Sequence, residues 1–206
     1  SVGTPYLGTP EMPYKFFTGI ILDTAEANFI DSAVKDIIFN IPSIYGLFSF
    51  QENWQRYLSY IDENGNTINC NTYSHTMSIL EEYLPNWNIN IAESVCSNHS
   101  RMFLSNGKHI TTLVDSYYII GTSVETSSTT TIKLGYEYGE VRIESFSFSN
   151  EPFGDGTVHY YSASIGDTIE EDKIYYASGE THIEMIKGGS GDTPNFSTII
   201  DIIDNN

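Results

Sequence analysis

The chain has 206 residues, 40% of them hydrophobic, which suffices for one domain with a sizeable core that buries roughly 70% of its unfolded surface. Acidic side chains number 27 against 9 lysines and arginines, a formal net charge of −18 with no basic run longer than a pair, so a nucleic-acid backbone would be repelled. No apolar run approaches the roughly 18 residues needed to cross a bilayer, and Ser1-Val2-Gly3 does not read as the charged leader of a signal peptide.

Ser1-Val2 reads as the tail of a buried strand, because Gly3-Thr4-Pro5 is already turn chemistry and Gly8-Thr9-Pro10 continues the loop; a chain that opens inside a strand is expected to be a fragment. Residues 23–38 turn helical: Asp23 or Thr24 can cap, Ala27, Ile30, Val34, Ile37 and Ile38 recur at three-to-four spacing, and Pro42 ends the pattern. Residues 41–50 are apolar and irregular, and Ile44, Phe48 and Phe50 suit either a core-facing connection or the inner wall of a lid. Asn64-Gly65 between short β-prone runs predicts a hairpin. A calcium loop starting at Asp62 is the weaker reading, since Thr67 stands where that loop needs glycine and Tyr73 where it needs its last glutamate.

Residues 74–84 read as a helix capped by Thr72 or Ser74, with Met77, Leu80 and Leu84 on one face. Residues 91–103 read as another, carrying Ala92, Val95, Cys96, His99 and Phe103 on one stripe, which makes His99 a packing residue. The second half changes character: residues 113–121, 129–134 and 140–149 are rich in β-formers and predict three consecutive strands. In the last, Val141 and Ile143 point to one face and Phe146 and Phe148 to the other, which predicts a bulge near Glu144. A short helix over 157–164, a core strand over 173–177 and a capped amphipathic helix over 193–203 complete the chain. Cys70 and Cys96 fit one disulfide or two free thiols equally well. The triplets Asn98-His99-Ser100 and Asn195-Phe196-Ser197 match the glycosylation pattern, which arises too often by chance to weigh.

The residues with chemistry lie near the end. Asp155 sits in Gly154-Asp155-Gly156-Thr157-Val158, and His182 follows 27 residues later in Gly179-Glu180-Thr181-His182-Ile183. Acid before histidine, each on a loop after a strand, is the order of a serine hydrolase, and the flanking glycines permit the tight turn such an acid needs. The competing structural reading makes Asp155 an Asp-Gly turn at a helix start. His159, four residues after Asp155, is the rival base but belongs on the flanking helix, and His75 and His109 in polar surroundings read as surface residues. No His-x-x-His or His-Glu-x-x-His occurs, so neither a metal nor a cofactor is expected. No Gly-x-Ser-x-Gly occurs either.

Taken in order, Gly3-Thr4-Pro5-Tyr6-Leu7-Gly8-Thr9, the strand-like residues 117–121, the Gly154 to Val158 motif and His182 resemble the later half of the lecithin:cholesterol acyltransferase family of lipid ester hydrolases and acyltransferases, from Ser1 to about Lys187. Glu125 departs from it, standing where the family has a proline. The resemblance implies an α/β chain, a single incomplete α/β-hydrolase domain: a partial fold of later sheet strands and flanking helices, about residues 1–15 plus 111–206, with a mainly helical cap inserted over about residues 16–110. It makes Asp155 the acid and His182 the base of a Ser-Asp-His triad whose serine and oxyanion donors lie on a missing N-terminal half. The implied substrate is a lipid or small acyl ester, with contact to a lipid or membrane surface and a secreted or extracellular location. The chain alone is then expected to be inactive. The alternative is a non-catalytic lipid- or ligand-binding or structural module on the same scaffold.

Overall fold

The computed structural model describes residues 1–18, 39–48, 57–84 and 86–187. The helices expected over 23–38 and 193–203, and Phe50, lie outside the described residues. In chain order the helices are α1 (Met12–Thr18), α2 (Pro42–Tyr45), α3 (Tyr73–Tyr83), α4 (Ile89–Ser100), α5 (Tyr160–Ala163) and α6 (His182–Lys187). The strands are β1 (Leu58–Ile61), β2 (Thr67–Asn69), β3 (Tyr118–Thr122), β4 (Thr126–Glu137), β5 (Glu140–Glu151) and β6 (Ile174–Ser178). The chain is mixed α/β, and it divides into two compact units, one from Ser1–Leu7, Met102–Ser127 and Asn150–Asn206, the other from Gly8–Arg101 and Ser128–Ser149.

The first unit is built on β3. Its Tyr118, Ile119, Ile120 and Gly121 are all buried, the pattern of a parallel strand covered on both faces. On one side it pairs in parallel with β6, Tyr118 opposite Ile174 and Thr122 opposite Ser178. On the other, Val2 makes a parallel bridge to Ile119, fixed by Ile119 N–H donating to Ser1 O at 2.8 Å and Gly3 N–H to Ile119 O at 2.9 Å. Ile119, Ala177 and Met185 pack together with Val2 against them, so α6 is held to the strands by its buried methionine.

All three strands run the same way, and their carboxyl ends open on the same edge. Ser123 leaves β3 with φ +68°, a left-handed conformation that turns the chain sharply. The three consecutive strands expected are present as β3, β4 and β5, but β4 does not pair with β3. Instead β4 pairs in parallel with β1, Leu58 opposite Thr130 and Ile61 opposite Lys133, where Leu58, Thr130 and Ile132 are completely buried. The burial of these side chains against one another decides the partner, and nothing in the local sequence announces it.

The second unit holds this sheet, ordered β2-β1-β4-β5, together with α1 to α4. The hairpin at Asn64-Gly65 is present: β1 and β2 are antiparallel, Gly65 has φ +82°, and Asp62 Oδ1 accepts the N–H groups of Asn64 (2.9 Å) and Asn66 (2.7 Å). Asp62 thus spends its carboxylate on its own turn, as the hairpin reading expects. Strands β4 and β5 are joined by Tyr138 and Gly139, both at positive φ, the two-residue turn that matches strand twist. The bulge expected near Glu144 is absent: Lys133 meets Glu144, Ser128 meets Ser149 and Ser127 meets Asn150, so each step back along β4 is one step forward along β5. Without a register change, Phe146 lies against Tyr14 and Phe17 on one face, and Val141 and Ile143 are half-buried on the other.

Helix α3 starts one residue earlier than predicted, with Thr72 Oγ1 accepting His75 N–H at 3.2 Å, and α4 starts two earlier because Asn88 caps it through Ile91 N–H at 3.3 Å. The unit's core is aromatic. Phe16, Tyr45 and Phe48 are completely buried and meet one another and Trp87 at ring separations between 5.0 and 6.3 Å, with Phe39 at 4.8 Å from Phe16. Tyr45 satisfies its hydroxyl by donating to Phe39 O and accepting Asn88 N–H, each at 2.9 Å. Phe48 is therefore a core residue here rather than an exposed wall, while Ile44 is half-buried. The two cysteines are free thiols, and burial pushes that of Cys70 up to about 12. Truncating Phe16 to alanine removes the ring at the centre of this cluster and is expected to cost about 3–5 kcal/mol. Urea unfolding followed by tryptophan fluorescence should show a clearly lower midpoint, and an unchanged midpoint would refute the assignment of this core.

Candidate active site

Asp155 and His182 meet at the carboxyl edge of the parallel strands of the first unit. Asp155 follows Val124 across a parallel bridge, with Val124 N–H donating to Gly154 O at 3.2 Å. Its side chain is only 1% exposed. A carboxylate removed from water in this way is tolerable only if its oxygens are hydrogen-bonded. Oδ1 accepts two backbone N–H groups, from Thr157 at 2.9 Å and Val158 at 2.7 Å, so the Gly-Asp-Gly-Thr-Val motif closes into a turn around its own aspartate. Oδ2 is left for His182, whose Nδ1 lies 2.8 Å away.

His182 arrives there through a second local device. Gly179, with φ +77°, ends β6 and donates its N–H to Thr122 O at 2.7 Å, which ties the exits of both strands together. Glu184 then accepts both the N–H and the hydroxyl of Thr181, at 2.8 and 2.7 Å, in the manner of the glutamate of a capping box. This starts α6 at His182 and fixes the residue on the first turn. The backbone N–H of His182 also donates to Asp155 O at 2.8 Å, so the two residues are joined by main chain and side chain alike.

Two glycines complete the fit. A Cβ on Gly121 would lie 2.4 Å from Cβ of Asp155, and one on Gly3, at φ +51°, would lie 3.0 Å from Nδ1 of His182 and 3.1 Å from Oδ2 of Asp155. The hydrogen-bonded pair therefore rests directly on the backbones of β3 and of the Val2 strand, with the Met185 side chain beside it.

Nδ1 is engaged by the carboxylate and the His182 side chain remains 24% exposed, so the ring is anchored at one nitrogen and reaches solvent. The hydrogen bond from Nδ1 to Asp155 raises the pKa of His182 above its ordinary 6.5 against the opposing effect of partial burial, and the carboxylate charge adds to the rise. The arrangement holds a neutral imidazole as the Nδ1–H tautomer and steadies the imidazolium form, which is what a general base needs from its acid partner.

The other histidines do not join this pair. His159 caps α5, its Nδ1 accepting Tyr161 N–H at 3.2 Å and its Nε2 lying 3.6 Å from Glu151, so the flanking-helix placement expected for it is what the structure has. His75 is partly buried, edge-on to Tyr60. His109, expected at the surface, is buried: its ring sits edge-on to Tyr6 and Phe103 and its Nδ1 is 2.9 Å from Thr111 Oγ1. The polar neighbours in sequence hid two aromatic rings brought from elsewhere in the chain. Among the described residues no cluster of His, Cys, Asp or Glu has the make-up of a metal site, and no helix is long and apolar enough to cross a membrane. No protein-family model matches the chain, and no curated protein matches it.

Because the folded state raises the pKa of His182, protonation favours the fold: the contribution is fully present below about 6.5 and is lost as pH rises through the higher folded-state value. An NMR titration of the His182 ring should give a midpoint above 6.5, and Asp155→Asn should bring it down. A midpoint at or below 6.5 in the unaltered chain would contradict the pairing.

Proposed function

We propose that this chain supplies the acid and the base of a Ser-Asp-His triad, as the later portion of an α/β-hydrolase that cleaves or transfers lipid or small acyl esters. The observation that carries the reading is the 2.8 Å contact between the buried Asp155 and the half-buried His182 at the carboxyl edge of parallel strands. In this reading Asp155 holds the imidazole by Nδ1 and stabilises its charge. The opposite nitrogen, Nε2, takes the proton of a serine hydroxyl as it attacks the ester carbonyl, then returns it to the leaving alcohol. Water releases the acid in hydrolysis, and a second alcohol takes the acyl group in transfer.

The serine is not in a Gly-x-Ser-x-Gly elbow of this sequence, so it comes from another segment, together with the backbone donors of the oxyanion hole. The resemblance of Gly3-Thr4-Pro5 and the Gly154 to Val158 motif to lecithin:cholesterol acyltransferase-like enzymes supports this order, and the placement of Gly3 against the dyad gives the first motif a physical reason. The lipid substrate, a contact with a lipid surface and an extracellular setting belong to the same proposal. A mainly helical cap over about residues 16–110 also belongs to it.

The alternative, a non-catalytic binding module, has one observation on its side: a cleft of about 500 Å³ at the opposite, amino end of β3 and β6, lined by Leu104, Leu113, Val114 and Tyr118 among others. The readings separate in the full-length product of the coding sequence. The hydrolase reading expects hydrolysis of a short-chain nitrophenyl ester that His182→Ala lowers by several orders of magnitude in kcat. Asp155→Asn should lower kcat by roughly 10⁴ with binding largely intact, and His159→Ala should leave it nearly unchanged. Full activity in both the Asp155 and His182 variants, or no activity and no serine elbow in the complete product, would overturn the proposal.

A further inference from the structure

Asp155 is placed by its loop, and one side chain outside that loop touches it on both flanks. Thr126, the first residue of β4, is 2% exposed. Its Oγ1 accepts the N–H of Gly156 at 2.8 Å and donates to Val124 O at 3.0 Å, so the hydroxyl is filled as donor and as acceptor. Its Cβ and Oγ1 press against the other flank: a Cβ on Gly154 would lie 2.8 Å from the Thr126 Cβ and 2.4 Å from its Oγ1. Val124, to which Thr126 is tied, in turn holds Gly154 O through its own N–H at 3.2 Å. The three contacts bracket Asp155 on the residues before and after it.

We infer that Thr126 is a positioning residue for the Asp155–His182 pair, its hydroxyl fixing the Gly154-Asp155-Gly156 turn so that Oδ2 faces Nδ1. The side chain's bulk fills the space that Gly154 leaves, and the hydroxyl holds the N–H of Gly156, while Asp155 Oδ1 takes those of Thr157 and Val158. The geometric role stands independently of what the pair does. Its catalytic consequence rests on the hydrolase reading.

The test uses the 206-residue chain with Thr126→Val, which keeps the shape and deletes the hydroxyl, beside Thr126→Ser, which keeps the hydroxyl. The readout is the NMR titration of His182. Asp155 is the charged group in hydrogen-bond contact with that ring, and the nearby Glu184 is committed to Thr181, so the titration reports the pair. A folded Val variant should titrate nearer 6.5 than the parent, with the Ser variant matching the parent. A folded Val variant with unchanged titration, or a Ser variant displaced as far as the Val one, would overturn the assignment. Should the Val variant fail to fold, hydrogen exchange at Gly156 in the unaltered chain decides: slow exchange is expected, and exchange at the rate of an unprotected amide refutes the bond. Where the full-length product is active, Thr126→Val should lower kcat on the order of tenfold with KM unchanged and Thr126→Ser should restore it. An inactive product would sink the hydrolase reading while leaving the titration result in force.

Discussion

The first unit depends on the placement of one buried charge. Asp155 is almost wholly removed from water, and a carboxylate in that state costs several kcal/mol unless its lone pairs are filled. The surrounding structure is arranged to fill them: two N–H groups of its own turn, the imidazole of His182, and a backbone bond from His182 to its carbonyl. Each partner constrains something further away. The turn requires glycine on both sides of the aspartate, the imidazole requires α6 to begin at one particular residue, and the close approach of the pair to the strands requires Gly3 and Gly121. A side chain at Gly121 would drive Asp155 off its oxygens' partners, so the glycine belongs to the site as much as the acid does.

The same arrangement sets an asymmetry between the two residues. The acid is buried, whereas the base is held by one nitrogen and keeps part of its ring at the surface. A pair that served only to brace the fold would gain from burying both members, since a buried hydrogen bond escapes competition with water. Here the ring that can exchange a proton is the one left accessible. That division is the physical basis for the proposed reading of the pair as an acid that orients a base.

How much of this was legible in the sequence differs between local and long-range features. The hairpin at Asn64-Gly65, the Thr72 cap, the Asp-Gly turn and the meeting of Asp155 with His182 all follow from chemistry within a few residues or from a strand between two loops, and the structure has them. The partner of β4 was not legible, because a Thr-rich run carries no mark of whether it lies beside β3 or β1; that is decided by burial against Leu58 across more than seventy residues of chain. His109 was misplaced for the same reason, its cover being rings of Tyr6 and Phe103. Thr126 could not have been singled out among its neighbours Ser127 to Thr131, since its distinction is the N–H of Gly156 and the bare flank of Gly154. Alternation along β5 suggested a bulge only because both faces carry apolar residues, and the structure accommodates both without one.

The central claim is that the pair is set up for proton transfer at the outer nitrogen of His182, and the tautomer of the neutral ring tests it most directly. Long-range proton–nitrogen correlation spectra of the uniformly ¹⁵N-labelled chain, recorded above the titration midpoint of His182, identify which ring nitrogen carries the proton. The account predicts Nδ1–H, bonded to Asp155, with Nε2 bare and able to accept. A neutral ring protonated at Nε2 would contradict it, because that nitrogen could not then serve as a base.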